Sequence, residues 1–185
     1  MQKLSVFNHV SLDGYFVDAK GDMSWARRHD PEWEHFVSAN ASGEATLLFG
    51  RVTYDLMAGY WTTPLAIKND PMWAARMNDS PKVVFSRTME RASWNNTELM
   101  KGDLVTAVQK SKQERGNGIV ILGSGTIVAQ LTEAALIDEF QIVLNPLVLG
   151  AGRTMFEGVT KRPKLNLISS RAFADGNVAL RYQPA

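Results

Sequence analysis

Ile119-Val120-Ile121-Leu122-Gly123-Ser124-Gly125-Thr126 decides the class of fold. Four apolar residues in succession, three of them β-branched, suit a strand buried on both faces of a parallel sheet. Gly-Ser-Gly then turns the chain, and residues 126–135 carry a helical pattern. Strand, glycine turn and helix N-terminus in that order form a cradle for phosphate oxygens. A full dinucleotide fingerprint is not present, because Val128 takes the third glycine position and no acid closes a following strand. The late place of the turn in the chain also departs from an ordinary Rossmann domain. Alone, Gly-Ser-Gly is a weak signal.

Two segments upstream repeat the arrangement. Leu47-Leu48-Phe49-Gly50-Arg51-Val52-Thr53-Tyr54 is a short apolar strand, a glycine that lets backbone approach a ligand, and a helix start with free N–H donors. Arg51 and Thr53 add side-chain donors. Val83-Val84-Phe85-Ser86-Arg87-Thr88 runs from an apolar strand into two hydroxyls and a guanidinium, whose fork matches phosphate oxygens. Each has a plain alternative as a solvated turn. Taken together, two arginines and a glycine turn on one rim of an α/β sheet suit a dinucleotide carrying an extra phosphate, NADPH rather than NADH.

The remaining chain fits the same architecture. Leu4 to Val10 reads as the first strand, closed by Asp13-Gly14. Asp30-Pro31 suits a helix start, Pro64 to Pro71 a loop, and residues 103–113 a helix. Phe140 to Leu144 is a further strand, and Leu165 to Phe173 with Asn177 to Tyr182 form a hairpin about Asp175-Gly176. The expectation is one α/β domain over residues 1–185, a mainly parallel central sheet flanked by helices with a C-terminal antiparallel hairpin.

Composition removes several classes of function. The 185 residues include no cysteine, which excludes disulfides, thiolate metal sites and a cysteine nucleophile. His9, His29 and His35 are not at metal-ligand spacing, so no metal is expected. Net charge is +1 with basic and acidic residues interspersed, which gives no footprint for nucleic acid. Neither a signal peptide nor a membrane span is read, and the cytoplasm is the expected location.

The order of these motifs resembles the dihydrofolate-reductase-like superfamily, and most of all the stand-alone relatives of the riboflavin-biosynthesis reductase domain. Ser11-Leu12-Asp13-Gly14 is similar to that family's opening signature. Gly50-Arg51-Val52-Thr53 resembles a phosphate-holding segment, Ser86-Arg87-Thr88 the segment at the adenosine 2′-phosphate, and Gly123-Ser124-Gly125-Thr126 the turn under the pyrophosphate. Asn145-Pro146-Leu147-Val148-Leu149-Gly150-Ala151-Gly152-Arg153 resembles the riboflavin-type ending. Two positions depart from the pattern: Tyr15 stands where a lysine is usual, and Leu122 where a glutamate is usual. No deaminase partner domain is present. These departures turn the expectation away from the riboflavin intermediate.

The resemblance implies a dihydrofolate-reductase-like fold, NADPH as cofactor, a small-molecule substrate, and a homodimer through residues 140–149 and the final hairpin. Val10, Ser11, Leu12 and Gly14 would border the nicotinamide, and Leu122 would join the glycine turn. Hydride would pass to a C=N or C=O carbon of a pterin- or pyrimidine-like heterocycle. Asp13, Tyr15 or an acid of the first helix (Asp30, Glu32 or Glu34) could relay a proton, although Asp13 also suits a purely structural turn. The segment from Asp13 to Trp25 is a candidate lid, and Tyr60-Trp61 a candidate stacking loop. Two other readings remain open: an NADP(H)-binding protein without reductase activity, and an enzyme holding a flavin or another nucleotide phosphate on the same rim.

Overall fold

A computed structural model describes residues 1–26, 32, 33, 36 and 45–185. The strands are β1 (Leu4–Ser11), β2 (Val17–Asp18), β3 (Thr46–Gly50), β4 (Lys82–Phe85), β5 (Thr97–Met100), β6 (Ile119–Leu122), β7 (Glu139–Asn145), β8 (Gly152–Arg153), β9 (Leu165–Ala172) and β10 (Val178–Pro184). Helices α1 (Arg51–Trp61), α2 (Pro64–Asn69), α3 (Pro71–Asp79), α4 (Leu104–Gln113) and α5 (Gly125–Glu133) intervene. The proposed helix start at Asp30-Pro31, together with Glu34, lies outside the described residues. Eight strands form one sheet in the order β5-β4-β3-β6-β1-β7-β10-β9. Its first six strands are parallel, and β10 and β9 close it antiparallel.

Both faces of the sheet are covered, as a parallel sheet requires. Leu4, Val6, Leu48 and Ile121 pack with Val128 and Leu131 of α5 on one face. Leu47, Phe49 and Val84 pack with Tyr54, Met77 and Trp94 on the other. The sheet order makes β4, β3 and β6 immediate neighbours running the same way. The three segments singled out for phosphate binding therefore end side by side on one rim.

Two helical boundaries differ from expectation. Residues 64–69 are helical, not loop: Pro64 sits at the first helical position and the Thr63 hydroxyl accepts from Ala66 N at 3.2 Å. Proline there has no N–H to waste and carries the right φ, so it starts a helix where the sequence reads a loop. Tyr60 and Trp61 close the last turn of α1 instead of lying in a loop.

Two buried charges are held by different means. Lys82 is 2% exposed, and its ammonium donates to the carbonyls of Met77, Asn78 and Ser80 at the C-terminal end of α3. Those carbonyls have no partner within the helix, and the helix dipole favours a cation there. Burial pushes the Lys82 pKa down to about 8, with Asp79 opposing. Glu139 is also 2% exposed and accepts from Lys3 Nζ at 2.6 Å, Gln141 Nε2 at 2.7 Å and Gln183 Nε2 at 3.2 Å, with Arg181 Nε 2.9 Å away. Burial raises its pKa, but the four donors outweigh that and carry it down to about 2.

Candidate functional site

Gly50, Ser86 and Gly123, at the C-terminal ends of β3, β4 and β6, border one cleft of about 750 Å3. Two helices begin on it. Neither α1 nor α5 has a side-chain cap or an acid in its first turn, so their N-terminal N–H groups and dipoles are left facing the cleft. Arg51, Arg87 and Arg153 line it, against a single carboxylate among the described lining residues, Asp103. Asp103 is itself engaged, accepting from Thr106 N at 2.8 Å as the cap of α4. Its carboxyl is held low first by Thr106 and further by the charge of Arg87.

The rim is fastened by buried polar groups. Ser124, in a left-handed conformation at φ 57°, gives its N–H to Thr53 Oγ1 at 3.0 Å. Its hydroxyl accepts from Gly50 N at 2.8 Å. These bonds tie the β3–α1 turn to the β6–α5 turn. From the neighbouring strand β1, Asn8 pairs with both polar groups of Gly123, accepting from its N–H at 2.7 Å and donating to its carbonyl at 3.2 Å. Asn8 was not singled out in the sequence, although an amide at an inward-facing strand position signals a specific partner. A β-carbon at Gly123 would press into Thr53, and one at Gly125 into the Phe16 ring. Ser86 Oγ accepts from Met89 N at 3.0 Å and so shapes the turn that presents Arg87.

Arg153 was quoted in the C-terminal motif but not singled out as a binding residue. It reaches the cleft because β8 pairs antiparallel with β2. The approach is so close that a β-carbon at Gly152 would run into the Val17 carbonyl, which explains the glycine before the arginine.

A second cavity, of about 330 Å3, adjoins the first at Met23, Leu56 and Gly123. Its floor is Phe7, Asn8 and His9 of β1. Trp33 stands on one side, and Tyr60, Trp61 and Trp73 stand on another. Asp22 and Asp70 are its acids among the described residues.

Of the residues expected to bind cofactor, Gly50, Arg51, Thr53, Ser86, Arg87, Gly123, Ser124, Gly125 and Thr126 line the first cleft. Leu122 lines the second cavity, and Thr88 lies just past Arg87 without lining either. Val10, Ser11, Leu12 and Gly14 line neither. Val10 is core, and Ser11 is fully buried with its hydroxyl accepting from Tyr15 N at 3.0 Å. Leu12 N–H bonds to the Leu147 carbonyl, and Gly14 forms the turn at φ 87°.

Of the residues expected to move protons, Asp13, Tyr15 and Glu32 also lie outside both cavities. Asp13 accepts from Leu149 N at 3.1 Å and Gly150 N at 2.7 Å. Its pKa is held low, first by Ser11 and then by those amides. Tyr15 is half-buried beside Ser11. Glu32 pairs with Arg171 at 2.6 Å. The segment proposed as a lid is secured at Asp13 and again in the β2–β8 ribbon.

Residues 2–179 match the model of the RibD C-terminal domain. The chain belongs to that family. A protein of Bacillus subtilis named uncharacterized protein YyaP is 28% identical over 178 residues, covering 94% of this chain and 90% of its own length. Among solved structures, a protein of Shewanella sp. PV-4 assigned to riboflavin biosynthesis superposes with a TM-score of 0.76 at 25% identity, covering 100% of this chain and 99% of that one. Dihydrofolate reductase from Enterococcus faecalis, complexed with NADP(H), shares the fold at TM-score 0.66 and 14% identity, covering 98% and 96%. The fold is thus dihydrofolate-reductase-like, and the family is one of reductase-like proteins. No described helix is long and apolar enough to cross a membrane.

Proposed function

We propose that the protein is an NADPH-dependent reductase that transfers hydride to a C=N or C=O carbon of a small heterocycle, acting in the cytoplasm. One observation carries the reading: three arginines and two uncapped helix N-termini surround a cleft that opens directly onto an aromatic cavity. The first cleft suits an anionic dinucleotide, because two helix N-termini and the side chains of Arg87 and Arg153 line it, together with Arg51, whose guanidinium rests on Asp55 at 3.3 Å and would exchange that exposed pair for a phosphate. Thr126 and the α5 N-terminus would hold the pyrophosphate, and Arg51 and Arg87 the remaining phosphate. NADPH, when bound, supplies a hydride donor. The protein's part is to orient both molecules and exclude water, with Met23, Leu56 and Gly123 at the junction. His9, Asp22, Tyr60 and Asp70 are the groups among the described lining residues able to hold or move a proton at the substrate.

Nicotinamide fluorescence, followed as the protein is titrated with NADPH and NADH, tests this reading. Binding of NADPH at least about tenfold tighter than NADH is expected. Equal binding, or none, overturns it.

We also infer a homodimer through β9. All eight residues of this edge strand are exposed, including Leu165, Leu167 and Ile168, on a strand whose outer backbone groups would pair with a second copy. Light scattering should give twice the chain mass and fall to one with Leu167→Glu. A monomeric parent protein overturns the inference.

A further inference from the structure

The described residues lining the two cavities differ in charge. Arg51, Arg87 and Arg153 line the first, whereas Asp22 and Asp70 line the second, which has no lysine or arginine among its described lining residues. Asp70 is the more telling of the two acids. It stands at the N-cap of α3, where an aspartate ordinarily accepts from the helix N–H groups, yet its side chain makes no capping bond. Instead Tyr60 donates its hydroxyl to Asp70 Oδ2 at 3.3 Å, and both residues line the cavity. The Asp22 carboxylate is steadied by Ser24, whose hydroxyl donates to it at 2.5 Å.

Aromatic rings enclose these acids at steep angles. Tyr60 and Trp61 meet with centroids 4.9 Å apart at 73°, and His9 and Trp33 at 5.3 Å and 71°. Trp73 adds a half-buried ring, with the Arg76 guanidinium 5.8 Å from its centroid but not lining the cavity. Ring faces and carboxylates together attract a cation, and a flat one most of all. Among the described lining residues, a phosphorylated substrate would meet two carboxylates and aromatic rings and no lysine or arginine.

We propose that the second cavity binds a planar, unphosphorylated heteroaromatic cation, held between Trp73 and the Tyr60-Trp61 pair with its charge toward Asp70. This rests on the reductase reading and narrows it to a C=N⁺ acceptor. Such an acceptor takes up hydride without a proton: the new C–H bond forms, the C=N π pair moves onto nitrogen, nicotinamide is oxidised, and the amine product is neutral. Loss of the charge weakens the hold of rings and carboxylates, which favours release.

The test is a tryptophan-fluorescence titration of the full chain with three bicyclic probes of similar size: N-methylquinolinium, 2-methylnaphthalene and 1-naphthyl phosphate. The cation should bind at least about tenfold tighter than either other probe. Asp70→Asn should remove most of that preference while leaving 2-methylnaphthalene unchanged, and Tyr60→Phe should reduce it by less. Circular dichroism confirms that each variant is folded. Equal or tighter binding of the phosphate, or an unchanged preference in both variants, overturns the proposal. Addition of NADPH to the cation complex separates the two readings. Asp70-dependent binding without loss of nicotinamide absorbance leaves the cation site standing and counts against the reductase.

Discussion

Arg87→Ala is expected to weaken NADPH binding by about ten- to a hundredfold while leaving NADH within about twofold, which is the range for one charged hydrogen-bonding group facing a phosphate. Arg87 stands on the rim with its turn shaped by Ser86 and its charge close to Asp103. Asp103 is occupied by its capping bond to Thr106, so the guanidinium retains donors for a ligand. NADPH and NADH differ only in the ribose phosphate, so the ratio of their affinities isolates that contact. The affinity of the variant should also depend less steeply on salt, since fewer fixed charges meet the ligand. Equal losses for both nucleotides would place Arg87 elsewhere on the dinucleotide, and no loss would exclude it from the site.

Glu139→Gln should lower folding stability by about 2 to 3 kcal/mol near neutrality, measured by urea unfolding. The carboxylate is nearly inaccessible and draws together Lys3, Gln141, Arg181 and Gln183 from three strands or strand ends. Lys3 and Arg181 remain 48% and 42% exposed and regain water when the charge is removed, which keeps the loss moderate. Folding lowers this pKa from 4.5 to about 2, so the stabilisation is complete above about 4.5 and drains away as pH falls through about 2. The parent protein should therefore lose stability across that acid window by an amount that the variant does not show. Identical acid profiles would mean that the network contributes nothing.

The three strand ends that meet on one cleft were legible because they rest on short-range features: an apolar run, a glycine or serine and the turn that follows are adjacent in the chain. Their assembly was legible from the α/β alternation, which places strand ends on one edge. What escaped were residues whose partners are distant. Asn8 meets Gly123 across 115 positions, and Arg153 enters the cleft through a two-residue pairing with Val17 and Asp18, too short to show a pattern. The aromatic cavity is drawn from β1, α1, α3 and the loop around Met23, so no local motif announces it. Ser11-Leu12-Asp13-Gly14 was a recognisable string, yet its polar groups are spent on the turn itself and on residues 147–150.

The buried bonds among Asn8, Thr53, Ser124, Gly50 and Gly123 have an evolutionary consequence. They cross-brace the three adjacent strands β3, β6 and β1 beneath the arginine-lined cleft, each joining a side chain to a backbone group. The aromatic cavity, by contrast, owes its character to side chains on α1, α3 and a loop. Substitutions there can reshape that cavity without loosening the platform beneath the arginine-lined cleft. A scaffold divided in this way lets a lineage vary the contents of one cavity while inheriting the other intact.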